Sequence, residues 1–225
     1  MTNELALLES AARCYEQAGE PAEAARVRER TGALTAAARL YEKAGMTADA
    51  ARCYRTARLP EEAARCHLLL GQVESAADCV EAAGDPLTAA WLLACVGRRP
   101  RRARWSLASV RPLTLDQRLR LEVCAGLCVA LESGDSTALA TAADAAVGQL
   151  SEVGAGERER LVRWVVGCAD AAGRADLAAA AHARAFRDGV PGALGRWHRW
   201  AGPALGGTTW LPGADGAAHG GRDRE

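Results

Sequence analysis

A chain of 225 residues with 49% hydrophobic content can hold one or two ordinary domains around a continuous core. Its 28 basic and 28 acidic residues cancel, which excludes a global field drawing it to nucleic acid or to an anionic membrane. One Phe and three Tyr leave a small-grained core of Ala and Leu.

The stretch Met1 to Ser10 carries Glu4 and Glu9 and lacks both the basic start and the apolar run of a secretory signal. No window approaches the roughly 18 apolar residues of a membrane span. The expectation is a cytoplasmic protein whose eight cysteines are reduced thiols. Lys43 is the only lysine among many arginines, the bias of a high-GC bacterial genome. Leu5, Leu7 and Leu8 extend an apolar face backwards from Ala11, predicting a longer first helix that caps a stack.

From Ala11 to Gly97 one 13-residue unit is written seven times. Ala-Ala pairs begin at Ala11, Ala24, Ala37, Ala50, Ala63, Ala76 and Ala89. Three places on comes a compact apolar residue: Cys14, Val27, Leu40, Cys53, Cys66, Cys79 and Leu92. Eight places on comes glycine, with Arg58 the only exception. A fixed period of this kind marks a stacked repeat architecture. On a helical wheel the Ala pair, the Cys/Val/Leu site and the tyrosines Tyr15, Tyr41 and Tyr54 share one arc, while Arg39, Arg52, Glu29 and Glu42 take the opposite one.

The helix ends are also written. Pro21, Pro60 and Pro86 stand at first-turn positions, with Asp85 as an N-cap. Glycine closes each unit. The expected helices run from Pro21 to Thr31, Leu34 to Ala44, Thr47 to Ala57, Pro60 to Leu70, Val73 to Ala83 and Pro86 to Val96. Turns of about two residues predict antiparallel neighbours. A helix of about 11 residues is marginal alone in water, so stability has to come from stacking.

The pattern A-A-R-L-Y-E-K-A-G from Ala37 to Gly45 resembles the tetratricopeptide superfamily of α/α solenoids, with 26-residue hairpins in place of 34 and without the usual landmarks of the first helix. The resemblance implies an all-α fold, a right-handed superhelix of antiparallel hairpins, that binds other proteins. It also resembles short repeats attached to bacterial gene clusters built around a MoxR-type ATPase.

Beyond Gly97 the pattern decays. Pro100 opens an eighth helix to Val110, in which Ala103 falls on the second Ala site and Trp105 on the Cys/Leu site. Thr114 and Gln117 form a capping box for a helix ending at Gly134. Helical stretches follow near Ser136 to Val153, Glu157 to Ala172 and Ala175 to Arg187. Past Pro191 the composition shifts, and Pro203, Gly206, Trp210 and Pro212 break regular structure. The expected organisation is 1–110 short repeats, 111–190 longer hairpins continuing the solenoid, 191–211 a Trp-rich segment and 212–225 a disordered tail.

No catalytic, phosphate-binding or dinucleotide motif occurs, so the sequence predicts neither enzyme nor cofactor. Cys53, Cys66 and Cys79 occupy a site shared with Val27 and Leu40, and read as packing. Cys124 and Cys128 are four apart with no His or Cys pair to complete a tetrahedral set, so no metal is expected. His67 substitutes for tyrosine. Arg98, Arg99, Arg101, Arg102 and Arg104 crowd a helix start where positive charge opposes the dipole, either a docking patch for an acidic partner or a solvated junction. Trp197, Trp200 and Trp210 with Arg196 and Arg199 form either a docking segment or the cap of the core. The function expected is a non-catalytic protein-interaction scaffold with the polar helix faces as platform: Arg13, Arg39 and Arg65 on one side, Arg26 and Arg52 on the other. The alternative is a regulatory or sensor subunit holding a peptide or small ligand in the groove.

Overall fold

A computed structural model describes residues 2–205 of the chain. The described residues form thirteen α-helices, one π-helical turn and one 3-10 turn, with no strand among them. Successive helices pack on one another as an all-α solenoid, and the contacts divide the chain into two compact units, Met1–Leu92 and Leu93–Glu225.

Unit 1 holds α1 (Thr2–Gln17), α2 (Pro21–Arg30), α3 (Leu34–Lys43), α4 (Thr47–Thr56), α5 (Pro60–Leu69), α6 (Val73–Ala82) and α7 (Pro86–Trp91). The 13-residue period is one helix and one turn. The Ala pairs of α2 to α6 are fully or almost fully buried, with Leu40, Cys53, Cys66 and Cys79 beneath them. A methyl group at these sites lets helix axes approach closely, so burial comes from proximity rather than from bulky side chains. Each turn closes in the same way. After α3, Gly45 takes φ +73° and the Met46 N–H donates to the Tyr41 carbonyl at 2.8 Å. Arg58 takes this left-handed position at φ +57° after α4, a conformation that strains a side-chain-bearing residue. Asp85 caps α7 as expected, accepting from the Thr88 N–H at 3.0 Å. On α1, Cys14 is exposed and Tyr15 is 40% exposed, because α2 supplies the main described packing against that helix.

The seventh repeat departs from the pattern. After Trp91 the helix widens into a π turn, Leu92–Val96, which accommodates one extra residue. The closing bond therefore runs from the Arg99 N–H to the Leu93 carbonyl, six residues back instead of five, and the left-handed position passes from Gly97 to Arg98 at φ +54°.

Unit 2 holds α8 (Pro100–Ala108), α9 (Leu115–Ser133), α10 (Thr137–Gly148), a 3-10 turn (Leu150–Glu152), α11 (Ala155–Ala171), α12 (Ala175–Arg187) and α13 (Ala193–Leu205). The Thr114 and Gln117 capping box opens α9, and Gly134 ends it at φ +78°. α8 packs on α9, α9 on α10 and α11, α12 on α10 and α11, and α13 on α12. Gly126 brings α9 against α10, where a Cβ would stand 2.8 Å from Leu139 Cα. Two expectations need correction. The helix expected from Ser136 to Val153 ends at Gly148 and gives way to the 3-10 turn. Pro203 does not end the last helix: it lies inside α13, in the final turn, where a lost backbone bond costs little cooperativity. The expected tail and Trp210 lie outside the described residues.

Candidate functional site

Part of the polar arc of unit 1 is taken up by ties between its own helices, while Arg13 and Arg39 are exposed. Glu29 of α2 accepts from the Tyr41 hydroxyl of α3 at 3.0 Å and from Arg52 of α4. One repeat later, Glu42 accepts from the Tyr54 hydroxyl at 2.7 Å and from Arg65. Arg28 replaces tyrosine one repeat earlier and pairs with Glu16 at 2.9 Å. Glu29 and Glu42 thus each link three consecutive helices, and Glu16 links two. Burial, then the bond to the carboxylate, pushes both tyrosines up to about 12, so the hydroxyls stay protonated donors.

The ladder reverses in charge one repeat further on. The sites of Glu42, Tyr54 and Arg65 are filled by Arg55, His67 and Asp78. There the groove opens into a cleft of about 410 Å³ lined by Arg55, Arg58, His67, Ser75, Asp78 and Cys79. His67 is half-buried, its Nδ1 2.8 Å from Gln72 Oε1. Two exposed guanidiniums and a thiol floor make a mixed polar and apolar pocket, suited to an anionic group attached to a small apolar body.

The arginine junction is shaped by the π turn. Because one residue has been inserted, Ala103 falls on the first Ala site and is fully buried, and Ser106 and Leu107 take the two core sites that follow. Trp105 was expected in the core; it is instead 71% exposed, displaced outward by that residue. Its ring lies under the Arg102 guanidinium, 4.7 Å from carbon to centroid. Arg98 donates to the Ala171 carbonyl, and Arg104 pairs with Glu132 at 2.9 Å. Arg99 and Arg101 are exposed. Arg98, Arg99, Arg101 and Arg102 line a second cleft, of about 500 Å³, with Leu131 and Glu132.

The tryptophan segment folds inward. Trp197 is 1% exposed and packs with Ala183 and Ala201, its ring edge-on to His182 at 5.7 Å between centroids. Trp200 is half-buried and donates from Nε1 to both Asp170 oxygens, at 2.8 and 3.0 Å. Arg196 pairs with Glu159 at 3.3 Å, and Arg199 is exposed. Among the described members of this group only Arg199 is exposed.

Two buried clusters were not anticipated. Asp116 and Arg120, one turn apart on α9, form an ion pair at 2.9 Å with the Arg120 guanidinium over Trp164, whose Nε1 donates to the Arg120 carbonyl. The i, i+4 spacing was a readable signal, but only α11 supplies the cover. Cys124 and Cys128 do have sulfur neighbours: Cys95 from the π turn and Cys168 from α11, whose Sγ atoms lie 3.7 Å apart. Among the described residues no group of three or more His, Cys, Asp and Glu is arranged to hold a metal ion. No described helix is long and apolar enough to cross a membrane.

No protein-family model, curated protein or solved structure matches the chain.

Proposed function

We propose that the chain is a non-catalytic protein-interaction scaffold of a bacterial multiprotein assembly, built on tetratricopeptide-like antiparallel hairpins. Its docking surface is the solvent face of α8, and the partner surface it fits is acidic. The observation that carries this reading is Trp105, 71% exposed at the centre of an arginine-rich helix. A tryptophan held in water beside guanidiniums forgoes burial that the core of unit 2 offers, and Trp with Arg supplies the dominant energy of many interfaces. The ladder of unit 1 favours the same location, since its glutamates and arginines are already engaged with one another.

Affinity purification with cross-linking tests the proposal. Trp105→Ala with Arg101→Glu is expected to lose the specific partners at unchanged melting temperature. Retention of the same partners by the double variant overturns it.

A second reading is favoured by the cleft of about 410 Å³ in unit 1: a regulatory subunit that binds a small anionic ligand between Arg55 and Arg58. Citrate and inorganic phosphate, titrated separately by thermal shift, distinguish carboxylate from phosphate recognition. Stabilisation that disappears in Arg55→Gln supports this reading, and stabilisation that survives the change removes it.

A further inference from the structure

Four cysteines far apart in sequence meet within unit 2. Cys124 and Cys128 come from α9, Cys168 from α11 and Cys95 from the π turn. Cys124 neighbours Cys128 and Cys168, and Cys95 Sγ stands 3.7 Å from Cys168 Sγ. Cys124, Cys128 and Cys168 are fully buried, whereas Cys95 retains part of its surface.

Packing accounts for single thiols at Cys53, Cys66 and Cys79, where valine and leucine serve equally in other repeats. It does not account for Cys95. In the six earlier repeats its site holds Gln17, Arg30, Lys43, Thr56, Leu69 and Ala82, on the outward side of the helix. Only in the repeat that widens into a π turn does a thiol stand there, and it meets a second thiol 73 residues along the chain.

We propose that Cys95 and Cys168 are a reversible redox pair, oxidised by a hydroperoxide to a disulfide that ties the π turn to α11. The order of steps follows from exposure. Cys95, which solvent reaches, loses its proton and attacks one oxygen of hydrogen peroxide; an S–O bond forms, the O–O bond breaks, and the departing hydroxide takes up that proton as water. The Cys168 sulfur then attacks the Cys95 sulfur. The S–S bond forms, the S–O bond breaks, and the leaving hydroxide carries away the Cys168 proton as a second water. Two thiols and one peroxide give one disulfide and two waters. A thiol reductant reverses the change by exchange.

Geometry permits the step. The sulfurs need to close from 3.7 Å to roughly 2.05 Å, within reach of side-chain rotation where one partner sits on a locally widened turn. Burial, with the hydrogen bonds from Cys124 and Cys95, raises the Cys168 thiol well above its ordinary range. Peroxide therefore reacts at Cys95, which solvent reaches, and the buried Cys168, 3.7 Å away, meets only the oxidised Cys95 sulfur as the resolving thiol.

The test uses the full chain carrying Cys14→Ser, which removes an exposed thiol capable of intermolecular pairing. The protein is treated with hydrogen peroxide, alkylated under denaturing conditions and digested without reductant for mass spectrometry. The expected product is a Cys95–Cys168 linked peptide that dithiothreitol abolishes, accompanied by a rise of several degrees in melting temperature. Cys95→Ser, a mild change at a partly exposed site, is expected to remove both the link and the rise, and Cys128→Ala to retain them. Alkylation of all four thiols after peroxide, or links confined to Cys124 or Cys128, overturns the proposal.

Discussion

Glu29 accepts from Arg52 and from the Tyr41 hydroxyl, and this pairing, led by the Arg52 bond and opposed by burial, holds its carboxyl below the usual 4.5. For Glu42, burial acts upward but is outweighed by Tyr54 and Arg65, with the same result. A depressed carboxyl stabilises the fold above its unfolded value, and that contribution is lost as pH falls through the folded value. Tyr41→Phe is expected to cost about 0.5 to 1.5 kcal/mol in urea unfolding, since one charge-assisted bond between neighbouring helices disappears. Glu29→Gln is expected to lower the melting temperature near neutral pH and to differ less from the parent in acid. Equal differences at both pH values would exclude the linkage. Arg58 supplies the converse case. It sits at φ +57° where the neighbouring repeats use glycine, so Arg58→Gly is expected to stabilise unit 1 by roughly 1 kcal/mol, read as a higher urea midpoint at unchanged slope.

At the scale of elements, the π turn has the largest effect for the fewest residues. A helix carries its side chains around its axis by about 100° per residue, so one extra residue rotates everything after it relative to the repeat. That rotation exchanges Trp105 for Ser106 at the core position of α8. Trp105→Ala is accordingly expected to change stability by less than about 0.5 kcal/mol, as for an ordinary surface site. Ser106→Glu, which forces a charge into a site 2% exposed, is expected to unfold the helix from α9, with loss of unit 2 melting cooperativity. The opposite ranking, measured by thermal denaturation, would restore the unshifted register. α9 and α10 give a second case, where Gly126 is required because the Leu139 backbone occupies the place of a Cβ.

At the scale of the whole molecule, ten-residue helices are too short to persist alone, and each unit holds together only through neighbours. In unit 2 the last of these neighbours is α13, which covers His182 with Trp197 and Trp200. Burial first, then the Arg196 charge, lowers His182 from 6.5 to about 4, and neither ring nitrogen has a hydrogen-bond partner. The unfolded chain therefore takes up a proton before the folded one as pH drops. Stability falls through the interval from 6.5 to about 4, by on the order of 3 kcal/mol in full. His182→Phe is expected to flatten the melting curve over that interval, and an unchanged pH profile would contradict it. Deleting residues 195–225 is expected to lower the melting temperature of unit 2, because it uncovers His182 and removes Trp197.

The sequence alone determined the repeat, the fold class and, to within a residue or two, the ends of α2 to α6 and α9. These follow from rules that act within one or two turns: alanine spacing, proline at a first turn, a left-handed residue at the close, and the Thr114 capping box. Those rules also predicted the buried face of the inner repeats, where each unit meets like neighbours, but not of the first, where Cys14 and Tyr15 stay exposed. Only the tertiary structure decided which polar residues were free. Glu29 and Arg52, 23 positions apart, read as solvated until their helices came together, and Trp105 read as core until the π turn displaced the register. The same holds for the four thiols. Cys95 and Cys168 lie 73 residues apart, and no local rule links positions whose proximity depends on three separate elements packing at once.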